Sequence, residues 1–219
     1  MIIVFTGVDG SGKTTHAKLL VKYLNEIGVS SKYVHLLEPN FKIVEWIGEK
    51  IGKKLLNKEN ELLFSKNSRS SQKLTKKLMK TLGLMFLFRG IYQSWVKLIR
   101  NRNFSIMVFD RYAYDDFIRA TWKYGGSFEK LALSLMRFIP KPSLVFNLTL
   151  PPDEAWKREK EGYTNLEQHR QKKSLHDKFI NKIKSKARII EIDTGTKPID
   201  EVEKEIRRIA LRELLAKSL

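Results

Sequence analysis

The segment Gly7-Val8-Asp9-Gly10-Ser11-Gly12-Lys13-Thr14 constrains this chain of 219 residues more than any other feature. It matches G-x-x-x-x-G-K-[ST] in full. An apolar run, Ile2–Phe5, precedes it, and a segment with helical spacing, Thr14–Ile27, follows it. Strand, glycine loop and helix in that order are the setting in which such a loop binds phosphate. The glycines let the backbone wrap closely and aim its N–H groups inward. The helix start adds the positive end of its dipole. The motif therefore predicts a nucleoside-triphosphate site at Gly7, Asp9, Gly10, Ser11, Gly12, Lys13, Thr14 and Thr15. Lys13 supplies a point charge to the β- and γ-phosphates, and the Thr14 hydroxyl is placed to bind Mg²⁺. The bland alternative is a glycine turn that only joins strand to helix.

Such a loop needs a sheet behind it, and the hydrophobic pattern supplies one. Further short apolar runs occur at Tyr33–Leu37, Ile106–Phe109, Leu144–Leu150 and Ile189–Ile192, each short enough for a strand buried on both faces. Helical spacing marks Thr14–Ile27, closed by Gly28, then Leu74–Ile99 and Ile199–Ala216. Strands alternating with helices predict an α/β fold, a parallel five-stranded sheet flanked by helices on both faces. No Pro/Gly-rich linker divides the chain, so residues 1–219 read as a single domain. The polar, lysine-rich stretch 53–80 reads as a mobile excursion at its edge.

Composition narrows the chemistry. Without cysteine there are no disulfides, zinc–cysteine sites, iron–sulfur clusters or thiol catalysis. The histidines, His16, His35, His169 and His176, have no metal-ligand grouping. No apolar run approaches the roughly 20 residues of a membrane span. The apolar start lacks a basic lead and reads as a core strand rather than a signal peptide, which makes the cytoplasm the default location.

A second constellation is Val108-Phe109-Asp110-Arg111-Tyr112. An apolar strand ending in an acid is the placement expected of the carboxylate that holds Mg²⁺ through water beside a phosphate loop. Thr14 and Asp110 are thus the candidate metal residues. Arg111 follows at the carboxyl end of the sheet, where it could clamp a second phosphate bidentately. The competing reading is an ordinary ion pair at a strand end.

Together these motifs resemble the thymidylate kinase family of nucleoside-monophosphate kinases. The likeness runs through Phe5–Thr15, through Leu84-Met85-Phe86-Leu87-Phe88-Arg89 and through Asp110-Arg111-Tyr112. It continues in the basic segment from Pro151 to Lys160 and in Ile192–Ile199, covering nearly the whole chain. The resemblance implies a P-loop kinase fold with a lid at about 152–172. It implies Mg²⁺-dependent phosphoryl transfer from ATP to a nucleoside monophosphate, with dTMP favoured, as a step of dTTP biosynthesis. Position by position, Lys13 and Arg111 are similar to the family's catalytic cations and Asp9 to the residue that reads the acceptor sugar. Arg89 stands where the family contacts acceptor base and phosphate, and Tyr112 joins the substrate-binding set. Where the family often has Arg-Glu-Pro, this chain reads Leu37-Glu38-Pro39, so Lys42 would stand in for the missing arginine. Met85 occupies the position of the stacking aromatic, and core packing is the first expectation for Phe86 and Phe88. The phosphate loop carries no arginine, so the lid is expected to supply the catalytic cation: Arg158 first, Arg170 second. The helix Leu82–Ile99 is similar to the family's dimer face, which suggests a homodimer.

The balance of 42 Lys+Arg against 24 Asp+Glu gives a net charge of +18. A field of that size attracts phosphates without saying which. Two further readings therefore stay open. One is a P-loop kinase acting on another nucleotide, a nucleoside or a polynucleotide end. The other is an ATP-switched nucleic-acid-binding protein using Lys73, Lys76, Lys77 and Lys80, although any such binding is expected to be non-specific.

Overall fold

The central strand β1, Ile2–Gly7, alternates its side chains between two cores. Ile2 and Val4 enter one core, and Ile3 and Phe5 the other. The computed structural model describes residues 1–36, 68–124, 127–158, 166–184 and 187–218. Within them β2 (Ser31–His35), β3 (Ile106–Asp110), β4 (Leu144–Thr149) and β5 (Arg188–Asp193) join β1 in one sheet. All pairings are parallel, in the order β2-β3-β1-β4-β5. The same alternation continues next door: Met107 and Phe109 face one core, Ile106 and Val108 the other. Both faces are thus apolar and both need cover.

Helices provide it. They are α1 (Lys13–Glu26), α2 (Ser68–Arg100), α3 (Ala113–Tyr124), α4 (Ser127–Leu135), α5 (Pro152–Arg158), α6 (Leu166–Ile183) and α7 (Ile199–Ser218). Leu20 and Leu24 of α1 pack with Val202 and Ile206 of α7 over one face. Phe86 and Leu87 of α2, Phe117 of α3, Ala132 of α4 and Phe179 of α6 cover the other. α1 ends as its sequence requires: Gly28 adopts φ 82°, and Val29 N–H donates to the Leu24 carbonyl at 2.8 Å.

All five expected strands are present. β2 starts two residues early because Ser31 is drawn in by bonds to Asn25 and the Val21 carbonyl. Leu37 and Lys42 lie outside the described residues, as does the expected excursion up to position 67; from Ser68 onward the chain is helical. α3, α4 and α6 are additions to the sequence-based elements. In α3 the apolar stripe is intact, with Tyr114, Phe117, Ile118 and Thr121 buried on one face and the acids Asp115 and Asp116 in the first turn.

From β1 the chain builds β2 and β3 on one side, then β4 and β5 on the other. That reversal opens a crevice at the carboxyl ends of the central strands, where open parallel sheets bind ligands.

Candidate active site

The loop from Gly7 to Gly12 turns above this crevice, with Gly7, Gly10 and Gly12 at φ 148°, 83° and 83°. A Cβ on Gly7 would stand 2.4 Å from the Leu148 carbonyl oxygen of the neighbouring strand. Only glycine fits where β4 and the loop approach so closely. Lys13 is buried and donates to the Val8 carbonyl at 2.6 Å, closing the loop on itself. Burial and the nearby Arg111 charge pull its ammonium down to about 8, against the opposing pull of Asp9.

Opposite the loop, Asp110 ends β3 fully buried. The Thr14 hydroxyl donates to its Oδ2 at 2.6 Å and the Tyr33 hydroxyl at 2.7 Å, while His35 Nδ1 lies 3.1 Å from the same oxygen. Burial works to raise the carboxyl, but the bonds from His35, Thr14 and Tyr33 win and hold it at about 2. Its Oδ1 is buried without a partner. An ionised carboxylate joined to a hydroxyl, with one oxygen atom unsatisfied, is an all-oxygen donor set that suits Mg²⁺. Among the described residues there is no group of three or more His, Asp and Glu that could hold a metal alone, so most ligands would come from phosphate and water.

Arg111 stands in the left-handed region at φ 67°, an unfavourable backbone for a residue with a Cβ. Its guanidinium donates to Asp9 Oδ1 at 2.7 Å and lies 3.9 Å from Asp115. Lys172, on α6, donates to the other oxygen of Asp9 at 2.7 Å and sits 5.5 Å over the Trp122 ring. Burial would raise the Asp9 carboxyl, but Arg111, Lys172 and Lys13 together hold it far below the usual carboxylate range. The same exchange, reversed, lifts Arg111.

The structure brings Asp9, Gly10, Gly12, Lys13, Thr14, Thr15 and Arg111 together with Arg158 around one cleft of about 520 Å³. Arg158 reaches it from α5 and donates to the Thr194 carbonyl at 3.2 Å. Arg170 does not reach it: on α6 it pairs with Asp153, both side chains more than half exposed. Arg89 is buried in α2, its guanidinium 5.6 Å over Phe86 and 3.7 Å from the buried Asp116. Phe86 packs in the core as expected, whereas Phe88 is 59% exposed and does not.

Tyr112 corrects the sequence reading. Its side chain is fully buried, its hydroxyl donates to the Pro140 carbonyl at 2.7 Å, and its ring packs edge-on to Phe109. It is a core residue, held away from the cleft by the apolar contacts of its ring. Its backbone N–H donates to Asp115 Oδ2 at 2.9 Å, the N3-to-N-cap half of a capping box, which ties the start of α3 down next to Arg111.

Four residues of this region went unread in the sequence. Arg119 lines the cleft, and its spacing of four from Asp115 on α3 was a usable signal. Tyr33 and His35 alternate on a strand and so share a face, a second signal. Lys172 had none, because its partner lies 163 residues away.

Residues 5–206 match the family model for thymidylate kinase. A probable thymidylate kinase of Methanococcus aeolicus is 31% identical over 213 residues, covering 93% of this chain and 92% of that protein. Another, from Methanocaldococcus jannaschii, is 31% identical over 207 residues, covering 94% and 93%. A thymidylate kinase of Fervidobacterium nodosum is 26% identical, covering 95% and 98%. Among solved structures, a deoxyadenosine kinase from M. mycoides with bound dCTP superposes with a TM-score of 0.60. It is 15% identical, covers 97% of this chain and is itself covered fully, a likeness that bears on the fold alone.

Proposed function

The chain belongs to the thymidylate kinase family, and from that premise we propose that its cleft transfers the γ-phosphoryl group of ATP to dTMP. The observation that carries the residue roles is the gathering of Lys13, Arg111 and Arg158 around one cleft of about 520 Å³. An oxygen of the acceptor phosphate bonds to the γ-phosphorus as the bond to the β–γ bridging oxygen breaks, and ADP leaves with that electron pair. The attacking oxygen is already anionic near neutral pH, so no general base is required.

The work of the chain is positioning and charge compensation. Backbone N–H groups of Gly10 to Lys13 cradle the donor phosphates, and the Lys13 ammonium leaves Val8 to meet them. Arg111 exchanges Asp9 for the acceptor phosphate, leaving Asp9 toward the acceptor sugar. Arg158 approaches the transferring group, and the described parts of the expected lid, residues 152–158 and 166–172, exclude water, while 159–165 lie outside the described residues. Thr14 and Asp110 would hold Mg²⁺, which when bound would supply positive charge to offset that of the phosphates. The experiment is a product assay: ATP, dTMP and Mg²⁺ should give ADP and dTDP in equal amounts, and EDTA should stop both.

The family does not favour the other two readings, a different acceptor or an ATP-switched nucleic-acid binder. Two finer points rest on support of their own. A homodimer through α2 is favoured by an exposed stripe at alternating spacings of three and four: Met85, Phe88, Tyr92, Trp95 and Ile99. A cytoplasmic location is favoured by the reaction itself, which draws on ATP; among the described residues no helix is long and apolar enough to cross a membrane.

A further inference from the structure

We propose that Tyr33 and His35, on the edge strand β2, are positioning residues that fix the Asp110 carboxylate in the orientation the metal site needs. The proposal rests on the reading of Thr14 and Asp110 as the metal-holding pair.

The argument starts from the strand. Residues two apart on β2 point to the same side, and the parallel register sets His35 beside Asp110 and Tyr33 beside Val108. Both side chains therefore meet the end of β3, and both end at a single atom. Asp110 Oδ2 receives the Tyr33 hydroxyl at 2.7 Å, has His35 Nδ1 at 3.1 Å and receives the Thr14 hydroxyl at 2.6 Å. A carboxylate has a broad terminal torsion and would otherwise swing between orientations. Convergence of these groups on Oδ2 leaves Oδ1, buried and unpartnered, as the oxygen still able to take a water or an ion.

The network also orients Thr14. Its hydroxyl has one proton and two lone pairs. With the proton given to Asp110, the lone pairs are turned away from Asp110 and remain available to a cation. Because a carboxylate accepts but does not donate, the His35 proton is assigned to Nδ1. Neither Tyr33 nor His35 is fully buried. The Tyr33 ring is held separately, with the Lys18 ammonium 5.6 Å above it. Removing the hydroxyl therefore leaves the ring's place in the fold intact.

Partners of metal-ligating groups that tune a site in this way change metal affinity by about 10–100-fold when removed. The test is calorimetric, on the full chain, with Mn²⁺ as the probe metal and ATP affinity measured with Mn²⁺ and in EDTA. The ratio of the two affinities reports the metal's contribution. In Tyr33→Phe and His35→Ala that ratio should fall about 10-fold, while affinity in EDTA stays near wild type. His35→Asn, which keeps an N–H donor at the Nδ1 position, should retain most of the ratio. If Asp110→Asn loses the metal contribution but the Tyr33→Phe/His35→Ala double variant does not, this proposal alone is overturned. If Asp110→Asn keeps it, the metal-site reading falls and this proposal falls with it.

Discussion

Lys172 and Asp9 are 163 residues apart, and the lysine ammonium donates a 2.7 Å hydrogen bond to the aspartate carboxylate. Arg111 takes the other oxygen of that carboxylate, and Lys13 lies 3.8 Å from it. One acid thus holds cations from α1, α6 and the end of β3 in a space where they would repel each other. α6, whose first turns lie within the proposed lid, is tied to the phosphate loop through this pair.

Replacing Asp9 by Asn should therefore destabilise the free protein, by about 3 kcal/mol if the cluster behaves as other buried pairs that lose one partner. Urea unfolding measures it. The loss should shrink as salt is added, because the remaining repulsion is screened. An unchanged midpoint at low salt would show that Asp9 does not hold the cations together.

Arg158→Ala should lower kcat by on the order of 10³-fold, with ATP affinity nearly unchanged, as expected for a supplied arginine that acts on the transition state. Arg170→Ala should stay close to wild type, because its partner Asp153 is on the outer surface. Single-turnover kinetics separate the two. Equal effects from both substitutions would remove Arg158 from its assigned role.

For Tyr112, the buried bond to Pro140 makes stability the sensitive quantity rather than substrate affinity. Tyr112→Phe leaves a buried carbonyl without its donor and should cost about 1–3 kcal/mol. The acceptor KM should not move. A raised KM at unchanged stability would return Tyr112 to the substrate site.

Asp116 gives the chain a predicted pH dependence. Burial, opposed by Arg89, lifts its carboxyl from the ordinary 3.8 to about 6. Between those values the folded state binds more protons than the unfolded one, so this group makes stability fall as pH rises through the window. The displacement corresponds to roughly 3 kcal/mol. Measured by urea unfolding from pH 4 to 7, wild type should lose stability relative to Asp116→Asn as pH increases. A wild-type stability relative to Asp116→Asn that is flat across this range, or that rises with pH, would contradict the assignment.

The parts of this protein that could be read from its sequence are those written in local patterns. The Gly7–Thr14 loop, the five apolar strands and the acid at the end of β3 each depend on neighbours within a few residues. Helix α3 was legible too, since Tyr114, Phe117, Ile118 and Thr121 recur at helical spacing directly after the Asp110-Arg111-Tyr112 motif. Tyr112 was misassigned because an aromatic beside a catalytic-looking arginine says nothing about which way its ring turns. Lys172 was out of reach altogether, since α6 brings it to Asp9 only through the tertiary fold.

The central claim is that this cleft phosphorylates thymidylate, and steady-state kcat/KM over a panel of acceptors tests it most directly. With ATP and Mg²⁺ saturating, dTMP should be preferred to AMP, GMP, CMP and UMP. Arg111→Ala should raise the dTMP KM and lower kcat together, since a phosphate clamp acts in both ground and transition states. Equal or faster turnover of any of the other monophosphates, or a dTMP rate that Arg111→Ala leaves untouched, would contradict it.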